Sequence, residues 1–99
     1  MQLPAEVTLS NISEVHEGVT AAFVRGGAIE FDIRGLLVAD LGFVQLVEAA
    51  RKAAAAEARD IRLSQPVSQP IAQLLRRAGL LDRATPDDID FWFHGDVTQ

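Results

Sequence analysis

Two carboxylates carry the strongest chemical suggestion in this chain. Asp32 ends the alternating stretch Ile29-Glu30-Phe31-Asp32, and Asp40 stands just ahead of a helical pattern. Paired acids can share general-acid and general-base work when a nucleophile or a second base lies within reach. No Ser, Cys, His or Lys stands close to this pair in sequence, so capping and loop fixing are the expected roles, with Asp40 accepting the free N–H groups of the helix it precedes. His16 and His94 are far apart and lack an i, i+4 partner, a spacing that gives surface or packing roles and no metal site. Ser68 precedes Pro70 and Ile71, where an N-cap outweighs a surrogate phosphosite. Gly26-Gly27 has no phosphate-loop Lys after it and reads as a turn, and Arg76-Arg77 suit the C-terminal end of a helix dipole.

These residues depend on alternating strands and helices for their placement. Leu3–Leu9 has apolar Leu3, Ala5, Val7 and Leu9 with Glu6 and Thr8 between them, a first strand whose Pro4 suits an edge or a strand start. Asn11 and Glu14 fit a capping box, and Ile12, Val15, Val19, Ala22 and Phe23 line one face of a first helix that should stop near Gly26. Ile29, Phe31 and Ile33 alternate in a second strand, and the period is lost after Gly35. From Phe43 the apolar positions return at helical spacing and run to about Ala58, after which Ile61–Leu63 forms a short third strand. Ile71, Leu74, Leu75 and Ala78 define a third helix ending at Gly79. In the tail, Thr85-Pro86-Asp87-Asp88 reads as a turn or cap. Ile89, Phe91 and Phe93 alternate as in an edge strand, with a short helix as the competing reading. Half of the six aromatic residues lie in Phe91-Trp92-Phe93, so this segment should pack on the body or on a partner.

With 99 residues, 48% of them hydrophobic, the chain is expected to form one domain over 1–99, its residues 82–99 being a C-terminal extension. Net charge is −5 with no basic block, which argues against nucleic acid. No apolar run reaches the ~20 residues of a membrane span. The first residues have neither the basic nor the apolar region of a signal peptide, so a cytoplasmic protein without membrane insertion is expected. Cysteine is absent, which removes disulfides and thiolate metal sites.

Across roughly Leu3–Leu81 the order of elements and their junction residues resemble the STAS domain, found in bacterial anti-sigma-factor antagonists and in the cytoplasmic tails of sulfate transporters. Asp32 and Asp40 match the two acids that flank the family's loop. Gln45-Leu46 matches a common helix pair, Leu63-Ser64-Gln65-Pro66 leads to Ser68 as the family's third strand leads to a capping Ser, and Ala78-Gly79-Leu80 matches the ending of its third helix. The resemblance implies an α/β fold with a mixed, partly parallel sheet of four to five strands and three to four helices. It also implies signal transduction or transcription regulation by binding a regulatory protein, such as an anti-sigma factor kinase, and neither enzymatic activity nor a cofactor.

Leu41 occupies the position of the family's phosphorylatable Ser or Thr, so the resemblance implies no phosphosite there and constitutive binding. Gly42 and Phe43 follow it, which displaces or replaces the family's glycine, and Leu36-Leu37-Val38-Ala39 make the loop continuously apolar. Two readings of this loop stay open. Leu36, Leu37, Val38, Asp40, Leu41 and Gly42 form a partner-binding rim, or the apolar members cover the helix end as core. A nucleotide- or lipid-sensing domain, a chemotaxis-array subunit, a lipid-transport subunit and a homodimer are the alternatives to an anti-sigma-factor antagonist.

Overall fold

A computed structural model of the chain describes residues 1–94. Its elements run β1 (Glu6–Val7), α1 (Ile12–Arg25), β2 (Ile29–Phe31), β3 (Val38–Ala39), α2 (Leu41–Ala56), β4 (Ile61–Leu63), α3 (Gln69–Arg77) and α4 (Pro86–Phe93). The class is mixed α/β with four helices, and the ladders are two parallel pairs, β1 with β3 and β2 with β4. The expected sheet of four to five strands is thus realised as two short pairs joined by one parallel bridge, Gln2 to Asp32.

That bridge explains how the pairs relate. Asp32 faces Gln2 and Val38 faces Glu6, so β2 and β3 are successive segments of one extended run alongside the N-terminal segment. The run takes six residues from Asp32 to Val38 where its neighbour takes four from Gln2 to Glu6, and the surplus bulges out around Arg34-Gly35. Leu36 N–H closes this bulge on the Ile33 carbonyl at 3.0 Å, and Leu37 and Val38 N–H both return to the Ala5 carbonyl at 2.7 and 2.9 Å. The N-terminal segment therefore lies on one side of this run and β4 on the other. Each crossover steps the same way across the sheet.

Side chains of opposite character separate the two faces of this arrangement. Leu3, Val7, Ile29, Phe31, Ile33 and Leu63 are buried in the core with the inward faces of the helices, whereas Gln2, Pro4, Glu6, Glu30 and Arg62 are exposed. Parallel sheets are usually covered on both faces; here the outer face is polar, with Glu30 and Arg62 in register and ion-paired at 2.9 Å.

Several expected boundaries shift for local reasons. The first strand shrinks from Leu3–Leu9 to Glu6–Val7 because Asn11 folds back on it. The Asn11 carboxamide donates to the Glu6 carbonyl at 2.7 Å and accepts from Thr8 N–H at 2.9 Å, standing in for a neighbouring strand. This consumes the side chain, so Asn11 holds the N-cap position of α1 without making the expected capping box. Val38–Ala39, expected as loop, is β3. α2 starts two residues before Phe43, and it stops at Ala56 because Ala58 turns left-handed at φ 54° and Arg59 N–H reaches back to the Ala54 carbonyl, a helix-ending bond. Ser68 is the N-cap of α3 by position only, with no side-chain bond.

The tail is helical, which overturns the edge-strand reading. Thr85 and Asp88 form a reciprocal capping box with Pro86 in the first turn. Asp88 is held below the usual carboxylate range chiefly by the Thr85 backbone N–H, which with Arg51 and the Thr85 hydroxyl outweighs the opposing effect of burial. α4 presses Phe91, Trp92 and Phe93 into the core, with the Trp92 ring edge-on to Phe43 and Phe91. Val67 N–H donates to the Trp92 carbonyl at 3.0 Å, and His94 Nε2 lies 3.1 Å from the Leu63 carbonyl, so α4 is tied to the β4 side. Asp96, the sequence neighbour of His94, lies outside the described residues. No helix among the described residues is long and apolar enough to cross a membrane.

Candidate functional site

The two acids are not brought together by the fold, since Asp32 stands opposite Gln2 whereas Ala39, just before Asp40, stands opposite Val7, and they are committed to different tasks. Asp32 leaves the end of β2 and receives a bidentate pair from Arg34, Nε to Oδ1 at 3.0 Å and Nη2 to Oδ2 at 2.7 Å, while Arg34 N–H also donates to Oδ1 at 3.1 Å. The Arg34 side chain, and next its backbone N–H, hold the Asp32 carboxyl well below the usual carboxylate range. Ser64 supports the same corner. Its N–H continues the ladder to the Phe31 carbonyl at 2.9 Å and its hydroxyl accepts from Ile33 N–H at 3.0 Å.

Asp40 caps α2 as expected, its Oδ1 accepting from Gly42 N–H at 2.8 Å. Its other oxygen does something the sequence did not signal. Oδ2 accepts from Leu9 N–H at 3.0 Å, pinning the turn after β1 onto the start of α2. Both oxygens of each carboxylate are therefore spent on structural bonds, and the one hydroxyl that the fold brings to Asp32, that of Ser64, also accepts from Ile33 N–H.

The apolar loop divides residue by residue. Leu36 is 6% exposed and belongs to the core, which corrects its place in the expected rim; Gly42 is buried as well. Leu37, Val38 and Leu41 are exposed at 76%, 52% and 47%. The split is not a simple alternation, since Leu37 and Val38 are successive and both exposed; the bulge, where both of their N–H groups return to the Ala5 carbonyl, resets the period between them. Val38 shares the outer face with its register partner Glu6, and the next pair, Val7 and Ala39, turns inward.

Leu9, expected to face the core, joins the exposed group at 65%. Its side chain lies over Gly42 so closely that a Cβ there would stand 2.8 Å from Leu9 Cδ2 and 3.0 Å from Asp40 Oδ1. Glycine at 42 is thus required by close approach and not by backbone angle. Its proximity to Asp40 could have been read from the sequence, but the contact with a residue 33 positions earlier could not. Among the described residues, and apart from Val24 on α1, the large apolar residues found exposed are these four around the start of α2.

Two concavities lie elsewhere. A cleft of about 710 Å³ between α2 and α4 is bordered by Arg51, Lys52, Arg59, Asp88 and Phe91. Arg51 is engaged with Glu48 and Asp88 and stacked 4.5 Å over Phe91, whereas Arg59 bonds Glu57 and the Phe23 and Gly27 carbonyls through Nε and Nη1 but leaves its buried Nη2 without a partner. An apolar groove of about 210 Å³ between α1 and α2 includes His16, Phe23 and Ala49. Neither brings Asp32 or Asp40 to a cavity.

Comparison with known proteins leaves the geometry to speak alone: no protein-family model, no curated protein and no solved structure matches this chain.

Proposed function

We propose that this chain is a STAS-like, non-enzymatic regulatory module of the cytoplasm that docks a protein partner through the rim at the start of α2, in the manner of an anti-sigma-factor antagonist. The observation that carries this reading is the exposure of Leu9, Leu37, Val38 and Leu41 around the start of α2, four of the five large apolar residues exposed among the described residues, Val24 on α1 being the fifth. A contiguous apolar patch on a small domain is a mark of an interaction surface. Leu41 at the first position of α2 carries no hydroxyl, so binding here is constitutive and follows the supply of the partner.

A non-enzymatic role is favoured because Asp32 and Asp40 spend their oxygens on Arg34, Leu9 and Gly42. The small-ligand alternative draws less support. Open α/β sheets bind ligands in the crevice where successive crossovers diverge, and the crossovers here step in one direction. The test is affinity purification of the tagged chain from its native cell beside a Leu37→Asp variant of unchanged circular dichroism. The parent should retain a stoichiometric regulatory protein that the variant loses by on the order of 1–3 kcal/mol of affinity. Equal recovery by both would refute the rim.

A further inference from the structure

The rim's charge surroundings specify the partner more narrowly. Glu6 is exposed on the same face as Val38, directly opposite it in register. Asp40 lies between the Leu9 and Gly42 N–H groups at the middle of the rim, and Glu14 sits in the first turn of α1, which begins three residues after Leu9. Arg34 is the one cation of this region, and its guanidinium is closed on Asp32 by two hydrogen bonds. Of the other eight Lys and Arg residues, Arg25, Arg51, Lys52 and Arg59 lie in the C-terminal half of α1 or α2 or just after it, Arg76, Arg77 and Arg83 lie in the last turn of α3 or after it, and Arg62 lies on β4, paired with Glu30. α1 and α2 connect parallel strands and so run counter to them, which carries Arg25, Arg51, Lys52 and Arg59 away from the rim, and the register of Arg62 with Glu30 places it at the β2 end of the run, before the bulge that leads to Val38. The rim is therefore an apolar patch on the acidic end of an acidic protein.

We infer that the rim receives an amphipathic segment of another protein whose apolar side chains are flanked by Lys or Arg. This rests on the docking reading above and adds the partner's chemistry to it. Apolar contact with Leu9, Leu37, Val38 and Leu41 supplies the anchor, and Glu6 with the Asp40 end supplies the sign of charge that orients it. A second copy of this chain fits less well, since it would bring one acidic rim against another.

The experiment uses the full chain, labelled with 15N, and two synthetic amphipathic helical peptides with the same leucine face, one flanked by Lys and the other by Glu. The Lys peptide should shift the amide signals of Leu9 and of Leu37 through Gly42, with affinity falling as salt is raised. Leu37→Asp should weaken it by tenfold or more and Glu6→Gln by about three- to tenfold, both in variants that keep the parent's spectral dispersion. Equal binding of the two peptides at the rim overturns the charge assignment and leaves the docking reading standing. Failure of both peptides to move the rim signals overturns the inference itself, whereas the docking reading falls only with the affinity purification. Rim signals that move with protein concentration alone identify a second copy as the occupant and overturn the inference as well.

Discussion

Two apolar runs, Leu36-Leu37-Val38 ahead of α2 and Phe91-Trp92-Phe93 in α4, meet opposite fates. The second is buried whole, because α4 is short, enters between β4 and α2, and offers its sides to Leu63, Phe43 and Arg51. The first is stretched along the edge of the bulged β2–β3 run, so Leu36 turns in while Leu37 and Val38 stay out. Hydrophobic composition alone did not distinguish them. Backbone conformation did, by setting how many faces of the segment could meet the core.

If that contrast is real, the largest stability loss comes from the tail. Trp92→Ala removes a side chain 2% exposed that touches Phe43 and Phe91 ring to ring, and should cost about 3–5 kcal/mol in urea unfolding. A loss below ~1 kcal/mol would mean that α4 is a loosely attached extension and would remove one side of the comparison.

Gly42→Ala sharpens the other side. The new Cβ would meet Leu9 Cδ2 at 2.8 Å and Asp40 Oδ1 at 3.0 Å, so Leu9 must swing away or the cap must loosen. Overpacking of this kind costs typically ~1–3 kcal/mol. Leu9 is exposed and can move more readily than a core residue, which places the expected cost at about 1 kcal/mol, and the amide shifts should spread to Leu9 rather than into Phe43. Shifts centred on Phe43 would show the rim to be part of the core.

Much of the frame was legible in the sequence, for reasons that are local. The N-cap at Asp40, the strand at Ile61–Leu63, the turn at Gly26-Gly27 and the helical stripe from Ile71 to Leu75 all follow from periodicity and neighbouring residues. The errors lie where a distant partner decided. Asn11 shortened β1 by taking the Glu6 and Thr8 backbone groups, Leu9 turned outward once Asp40 held its N–H, and Val38–Ala39 became a strand because Ala5 was there to pair. The tail offered both a period-2 pattern and a Thr-Pro-Asp-Asp start, and the capping box won because it satisfies free helix N–H groups within the segment itself. Leu36 was separable from Leu37 only once the bulge fixed which of them faced inward.

Acid should loosen both regions together, though through different carboxylates. Asp32 and Asp88 are each held below their ordinary value, so each stabilises the fold above the unfolded carboxylate pKa of ~3.9 and loses that contribution as pH falls through its own folded value. The melting temperature should be flat from pH 7 to 5 and decline below about pH 4. Asp88→Asn should blunt that decline, because the variant lacks one of the two titrating groups.

The smallest effect on the fold, and the most discriminating for the comparison, belongs to Leu41. It occupies the first position of α2, about half exposed, in a first turn that contains no acid. Leu41→Glu gives up partial apolar cover but places a negative charge beside free helix N–H groups, an interaction worth ~0.3–1 kcal/mol at an exposed helix start. The two changes oppose one another, so unfolding stability should stay within about 0.5 kcal/mol of the parent. Binding should move the other way: a new charge and a missing contact in the middle of the rim both weaken the docked partner, while Leu41→Ser, which adds no charge, is tolerated better. Opposite behaviour of stability and binding at a single position is what a surface residue with a recognition role predicts. If Leu41→Glu instead unfolds the protein as Trp92→Ala does, the loop and the tail are two parts of the same core. If it folds and binds the native partner as tightly as the parent, recognition lies away from the start of α2.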